Sequence, residues 1–325
     1  MHDPREPRRT RTGRRPGRLA TTSALAGAAA LAVGGGLLTA GPVTGGGKGP
    51  ANHAALRDGL VVERPDAPES ASRPDLPASA EFVPAVGPPG SPGVRLVNNR
   101  INATGLRARG GPCPLPPFTP SVPGQRAFYE AELSCLNATW GTVLRAAHVP
   151  FQPPRVEVVD HDVQTPCGRR SPSRTALYCA GTLYMTAYYY RDVEGHGDDA
   201  SVYFGQMAHE YGHHVQQLTG IMDASWQERA RSGRRSPAGA ETTRRLELQA
   251  NCYAGMFLGG LRDQRAVDPG LISGALRDYG ERGDASGRPR EHGTPRTNGS
   301  WAHQGSQRNR TYQCNTWLAP QDAVD

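Results

Sequence analysis

Lysine is almost missing from this 325-residue chain: Lys48 is its only example, and arginine supplies the rest of the positive charge. Also missing is any Cys-x-x-Cys pair, which removes the usual framework of a cysteine-rich zinc site. A broad basic surface is lacking too, once the charge is located. The net charge is +7, but the first eighteen residues hold seven arginines against Asp3 and Glu6. That surplus of five leaves about +2 for everything after them (7 − 5). A nearly neutral main domain excludes an arginine-driven nucleic-acid binder, and no nucleic-acid partner is expected.

The basic leader, residues 1–18, is followed at 19–40 by twenty-two uncharged residues rich in Ala, Gly and Leu. That length suffices to cross a bilayer as a helix. With the arginines held inside, it reads as a transmembrane anchor with an extracytoplasmic C-terminal domain. A secretory signal is the alternative. Leu38 stands where a cleavage site wants a small residue, and this favours the anchor. Residues 41–93 are Pro, Ala, Gly and Ser with scattered charges, as in Arg73-Pro74-Asp75-Leu76-Pro77, and read as a disordered linker. The ordered domain is expected at 94–325, with oligomeric state unspecified. All six cysteines lie in it, an even count that suits disulfides in an exported chain. Proximity pairs Cys167 with Cys179, leaving Cys113 with Cys135 and Cys252 with Cys314, although six thiols allow other pairings.

Within that domain, Val94-Arg95-Leu96-Val97 reads as a first strand or extended entry. Residues 125–147 carry Phe128, Leu133, Leu136, Trp140, Val143 and Leu144 at helical spacing before Pro150. Residues 155–160 suit a short strand. Leu177-Tyr178-Cys179 and Thr182-Leu183-Tyr184-Met185 flank Ala180-Gly181 as a hairpin, a candidate edge for aligning an extended peptide. Helices are expected near 200–219, 224–232, 240–259 and 271–279.

The most informative stretch is His209-Glu210-Tyr211-Gly212-His213-His214. Histidines four residues apart share one face of a helix, close enough for both imidazoles to meet one metal ion. Glu210 lies about 100° round the same turn. This is the H-E-x-x-H arrangement of zinc hydrolases, in which the metal acidifies water and the glutamate serves as general base. Asp199 and Ser201 suit the helix start and Gly220 its stop. His214 should face away from the metal, at the surface or supporting a neighbour, and Tyr211 should pack. A catalytic zinc usually has three protein ligands. A third histidine six residues on would fall at 219, which is Thr219, so that version is absent. A carboxylate from a second helix is the other solution. Glu247 fits it, with Asn251 one turn later able to hold a ligand imidazole; Glu241, Asp223 and Glu228 are alternatives. His292, in His292-Gly293-Thr294-Pro295, suits either an oxyanion donor or a turn whose Thr294 caps the last helix.

The blocks His209-Glu210-Tyr211-Gly212-His213-His214-Val215-Gln216, Leu246-Glu247-Leu248-Gln249-Ala250-Asn251-Cys252-Tyr253-Ala254-Gly255 and His292-Gly293-Thr294 resemble, in the same order, those of the neutral zinc metallopeptidase family of the YpfJ type. The resemblance spans roughly residues 128–317. It implies an α+β, zincin-like domain, mostly helical, with a small sheet or hairpin beside the metal helix. It also implies Zn2+ held by His209, His213 and Glu247, Glu210 as base, and a peptide or protein substrate. Where such relatives usually carry Asp, this chain has Asn251, which can still accept a hydrogen bond but brings no negative charge. The rival class is a cell-surface protein with a structural zinc ion or lost catalysis.

Overall fold

The computed structural model describes residues 90–284 and 290–325. The leader 1–18, the segment 19–40 and nearly all of the linker 41–93 lie outside them. The chain enters through α1 (Pro92–Val97), so the strand expected at Val94–Val97 is a helical turn instead. Pro92 explains the difference: its fixed φ suits a first helical turn and overrides the preference of the flanking valines for strands. The boundary expected at residue 94 therefore falls inside this turn.

Caps followed by proline start several of the longer helices. Ser121 accepts a bond from the Gly124 N–H to open α2 (Val122–Ala146). Ser236 does the same for α5 (Pro237–Gln264), Asp268 for α6 (Pro269–Glu281) and Thr294 for α7 (Pro295–Arg308), the last with a full capping box. Asp199 caps α3 (Ala200–Leu218), and Gly220, at φ +74°, turns the chain straight into α4 (Ile221–Arg231). Thr294 thus takes the capping role considered for it.

The strands are short: β1 (Arg155–Val159), β2 (Val163–Thr165), β3 (Gly168–Arg170), β4 (Leu177–Cys179) and β5 (Thr182–Thr186). β5 runs between β1, to which it is parallel, and β4, to which it is antiparallel, so β4 is an edge. The β2–β3 ribbon has no counterpart in the sequence reading, because three-residue strands with Gln164, Arg169 and Arg170 carry no apolar alternation. All three disulfides take the expected partners. Cys167–Cys179 ties the ribbon to β4, Cys113–Cys135 ties the entry segment to α2, and Cys252–Cys314 ties α5 to the C-terminal segment. The result is a mostly helical α+β, zincin-like domain.

No helix among the described residues is long and apolar enough to cross a membrane. This corrects the expectation of a membrane-anchored protein. The 28-residue α5 has the length, but Glu241, Arg244, Arg245 and Glu247 interrupt it, and lipid cannot solvate such charges. An anchor or a cleaved secretory signal would rest on residues 19–40 alone, which lie outside the described residues.

Helix packing is closest where side chains vanish. A Cβ on Gly255 would lie 2.0 Å from the carbonyl oxygen of Ala302, and one on Gly305 would lie 1.9 Å from that of Cys252, so α5 and α7 touch backbone to backbone. The contact that matters for function is between α3 and α5. A Cβ on Gly212 would sit 2.8 Å from the Ala250 carbonyl oxygen and 3.0 Å from its Cα. The helices carrying His209, His213 and Glu247 are thus drawn together at a glycine inside the histidine motif.

α3 also holds the hairpin in place. His214 is buried rather than exposed, correcting the surface reading, although it does face away from His209 and His213 to support a neighbour. Its Nε2 lies 2.8 Å from the Gln152 carbonyl oxygen and so carries the proton, and its Nδ1 accepts from the Tyr178 hydroxyl at 3.1 Å. That hydroxyl accepts in turn from the Gly181 N–H in the β4–β5 turn, at 3.1 Å. Tyr211 packs as expected, its hydroxyl donating to Asn137.

Two measurements test this arrangement. Gly212→Ala should destabilise the domain by about 1–3 kcal/mol, because the overlap is with backbone that cannot rotate away; an unchanged thermal midpoint would show that α3 has room to spare. Burial lowers the His214 pKa from 6.5 to about 4. Above 6.5 the ring is neutral whether folded or unfolded, and the stability is fully present. As pH falls from 6.5 towards 4 the unfolded chain takes up a proton that the folded chain refuses, and stability is lost. His214→Gln, which keeps a donor and an acceptor, should therefore lose less stability than the wild type between pH 7.5 and 4.5.

Candidate metal centre

Helical spacing puts His209 and His213 on one face of α3, and the close approach at Gly212 brings Glu247 of α5 opposite them. The Nε2 atoms of His209 and His213 lie 3.3 and 3.2 Å from Glu247 Oε2. One donor atom from each of the three residues falls within 4.8 Å of the others, a set that could hold a metal ion. The alternatives for the third donor go elsewhere: Glu241 pairs with Arg245, Asp223 is exposed, and Glu228 faces Arg231 and Ser232.

The rings are held by their other nitrogens. His209 Nδ1 is 2.8 Å from Asn251 Oδ1, and His213 Nδ1 is 2.8 Å from Gln216 Oε1. An amide oxygen only accepts, so both Nδ1 atoms carry a proton and both Nε2 atoms turn towards Glu247, where they offer lone pairs to a metal ion or, without one, donate a proton to the carboxylate. The amides are themselves fixed. Asn251 donates to Asn298, which donates to the carbonyls of His292 and Thr294; Gln216 donates to the Leu246 carbonyl and to Gln249. Asn251 thus does what was expected of it. Asn298 and Gln216 were not singled out from the sequence, where an isolated amide carries no signal.

Charge at the cluster fits a cation. Burial works against a charged imidazole at His213, but the Glu247 carboxylate and its hydrogen bond outweigh this and raise the pKa to about 9. Burial likewise opposes ionisation of Glu247, yet His213 and the hydrogen bonds from both rings hold its carboxylate well below the ordinary range. Two imidazoles and an ionised carboxylate, with ring lone pairs facing inward, are the donor set that suits zinc.

Glu210 follows His209 on α3 and is nearly buried. Its Oε2 accepts the Tyr178 N–H at 2.7 Å, so an amide of the edge strand β4 orients the carboxylate. His209, Glu210, His213 and Glu247 share a cleft of about 820 Å3 with Arg170, Tyr178, Tyr190, Trp226 and His292. His292 sits at its rim, with Nδ1 3.1 Å from Asp284 Oδ1 and its backbone N–H donating to Asp284 Oδ2 at 2.6 Å. The structure brings it to the cleft and not into the donor set. Desolvation opposes its charge, but Glu247 and Asp284 raise its pKa. Tyr190 accepts the Ala176 N–H on its hydroxyl, and burial, with Glu210 nearby, raises its pKa strongly. Tyr190, Trp226, Arg170 and Asp284 were not anticipated, since nothing local in the sequence tells a cleft residue from any other.

Comparison with known proteins agrees with this geometry. The family described as "Putative neutral zinc metallopeptidase" matches residues 123–317. The uncharacterized protein YpfJ of Escherichia coli K12 is 29% identical over 219 residues, covering 62% of this chain and 74% of its own. An uncharacterized protein of Mycobacterium tuberculosis H37Rv is 32% identical over 136 residues, 38% of this chain and 43% of its own. No solved structure matches the chain. With its matched segment covering well over half of the sequence, the chain belongs to the neutral zinc metallopeptidase family.

Proposed function

We propose that this protein is a zinc-dependent peptidase in which His209, His213 and Glu247 hold the ion, Glu210 is the general base, and the substrate is a peptide or protein. The observation that carries this reading is the convergence of two imidazole Nε2 atoms and one carboxylate oxygen beside a glutamate that is not needed as a donor. A bound zinc ion supplies Lewis acidity to polarise the scissile carbonyl and acidify a water molecule.

The remaining work falls to the chain. Glu210 Oε2 is engaged by the Tyr178 N–H, which leaves Oε1 to take the proton of the attacking water and return it to the departing amine. Tyr178 turns that N–H away from β5, so the edge strand β4 lies beside Glu210 with its outward carbonyl left for pairing. An extended peptide pairing there would bring a backbone carbonyl past the base. In this reading His292, at the rim and drawn towards its protonated form by Glu247 and Asp284, would donate to a developing oxyanion. A structural metal site would favour a fourth protein donor. Among the described residues the cluster has three, and it opens onto a cleft.

Glu210→Gln should remove chelator-sensitive peptide hydrolysis while leaving zinc content at the wild-type level; undiminished hydrolysis would reject Glu210 as base. Zinc retained by a wild-type chain that cleaves no peptide in a broad library would favour a structural ion. Glu247→Ala should lower zinc content at equal total zinc, and full occupancy in that variant would move the third ligand elsewhere.

A further inference from the structure

Most charged side chains lining the cleft have partners. Arg282 bonds both oxygens of Glu194 and also Asp278, His196 faces Glu194, and His292 faces Asp284. Glu281 is exposed at the end of α6. Arg170 differs from the other cations. It lines the cleft with His209, Glu210 and Glu247, yet its side chain makes no hydrogen bond or ion pair among the described residues, and its Nε is fully buried without an acceptor. A buried donor left unmade is costly. A guanidinium cannot relieve that cost by losing its proton, as a lysine could. Burial and Arg174 both disfavour its charge, while Glu210 and Tyr190 favour it, which places it within the electrostatic reach of the base.

The backbone beneath it is firmly held. β3 follows Cys167, whose disulfide to Cys179 fastens the ribbon to the edge strand that orients Glu210. Thr165 Oγ1 donates to the Gly168 carbonyl at 2.7 Å and accepts the Cys167 N–H at 3.1 Å, locking the ribbon turn. Beyond β3, the Pro172 carbonyl accepts the Tyr188 N–H at 3.0 Å. An unpaired cation on so constrained a base is preorganised for an anion that arrives with the substrate. A carboxylate matches its planar fork.

We infer that Arg170 binds a carboxylate of the substrate adjacent to the bond that is cut, so that this protein selects peptides carrying negative charge beside the scissile bond. The inference rests on the peptidase reading. Two sources share the chemistry: the free C-terminus of a peptide cut near its end, or an Asp or Glu side chain within a longer one.

The test uses zinc-loaded full-length protein and three matched quenched-fluorescence peptides: one neutral and amidated, one with a free C-terminal carboxylate beside the cleaved bond, and one amidated with Asp in that place. The wild type should show a KM about ten- to hundredfold lower for one of the anionic peptides than for the neutral one, in keeping with a charged bidentate contact. Which anionic peptide is preferred identifies the source. Arg170→Gln should collapse that ratio towards one, and Arg170→Lys should restore part of it, since charge returns without the fork. Equal KM values for charged and neutral peptides in the wild type would overturn the inference. So would an Arg170→Gln variant whose kcat falls equally for all three peptides, which would place the guanidinium on the transition state instead. Calorimetric binding of an acetylated dipeptide acid and its amide separates this from the peptidase reading. An Arg170-dependent preference for the acid in a protein that hydrolyses nothing sinks the peptidase reading and keeps the anion site; hydrolysis without such a preference does the reverse.

Discussion

Everything in the candidate site depends on how closely α3 approaches α5. At Gly212 the two backbones are near enough that a single methyl group would collide with Ala250. The histidines flank that glycine on one helix, and Glu247 and Asn251 flank Ala250 on the other. The contact point between the helices therefore lies next to the donor cluster in sequence on both sides. Backbone packing thus fixes the separation of the two helices, and hydrogen bonds to the imidazole Nδ1 atoms orient the rings.

Around that contact the polar groups follow one logic. Each imidazole gives its Nδ1–H to an amide oxygen, and each amide is fixed by further hydrogen bonds reaching the α7 cap on one side and Gln249 on the other. Asn251 occupies a place where a carboxylate would make the imidazole more electron-rich. An amide there orients the ring without adding negative charge, so Glu247 is the anion of the cluster. The strong mutual pull between Glu247 and His213 reflects this: a site shaped for a cation holds a proton when only the proton is present.

The second support is the β4 edge. Tyr178 works from both ends, its backbone N–H on Glu210 and its hydroxyl between His214 and the hairpin turn. The Cys167–Cys179 disulfide extends this frame to the ribbon bearing Arg170. Glu210, the edge strand and the unpaired guanidinium are therefore parts of one braced wall of the cleft.

Local patterns were sufficient for much of this. His209, Glu210 and His213 belong to a five-residue motif on one helix, and the capping residues Asp199 and Thr294 mark helix starts from single positions. Glu247 and the disulfide partners were legible as well, the former with the help of its surrounding block. The entry helix was not, because Pro92 overrode the strand preference of its valines, and neither was the β2–β3 ribbon, whose strands are too short to show a period. By itself the sequence determined the histidine pair that could bind a metal and the helix that would carry it, since both follow from periodicity and residue type, and it left the third donor among several carboxylates. Only the tertiary structure decided that His214 is buried behind the hairpin, that His292 stops at the rim, and that Arg170 lines the cleft with Glu210 while its side chain lacks a partner. Those outcomes depend on contacts between residues tens of positions apart, and no local window of the chain contains both members of such a pair.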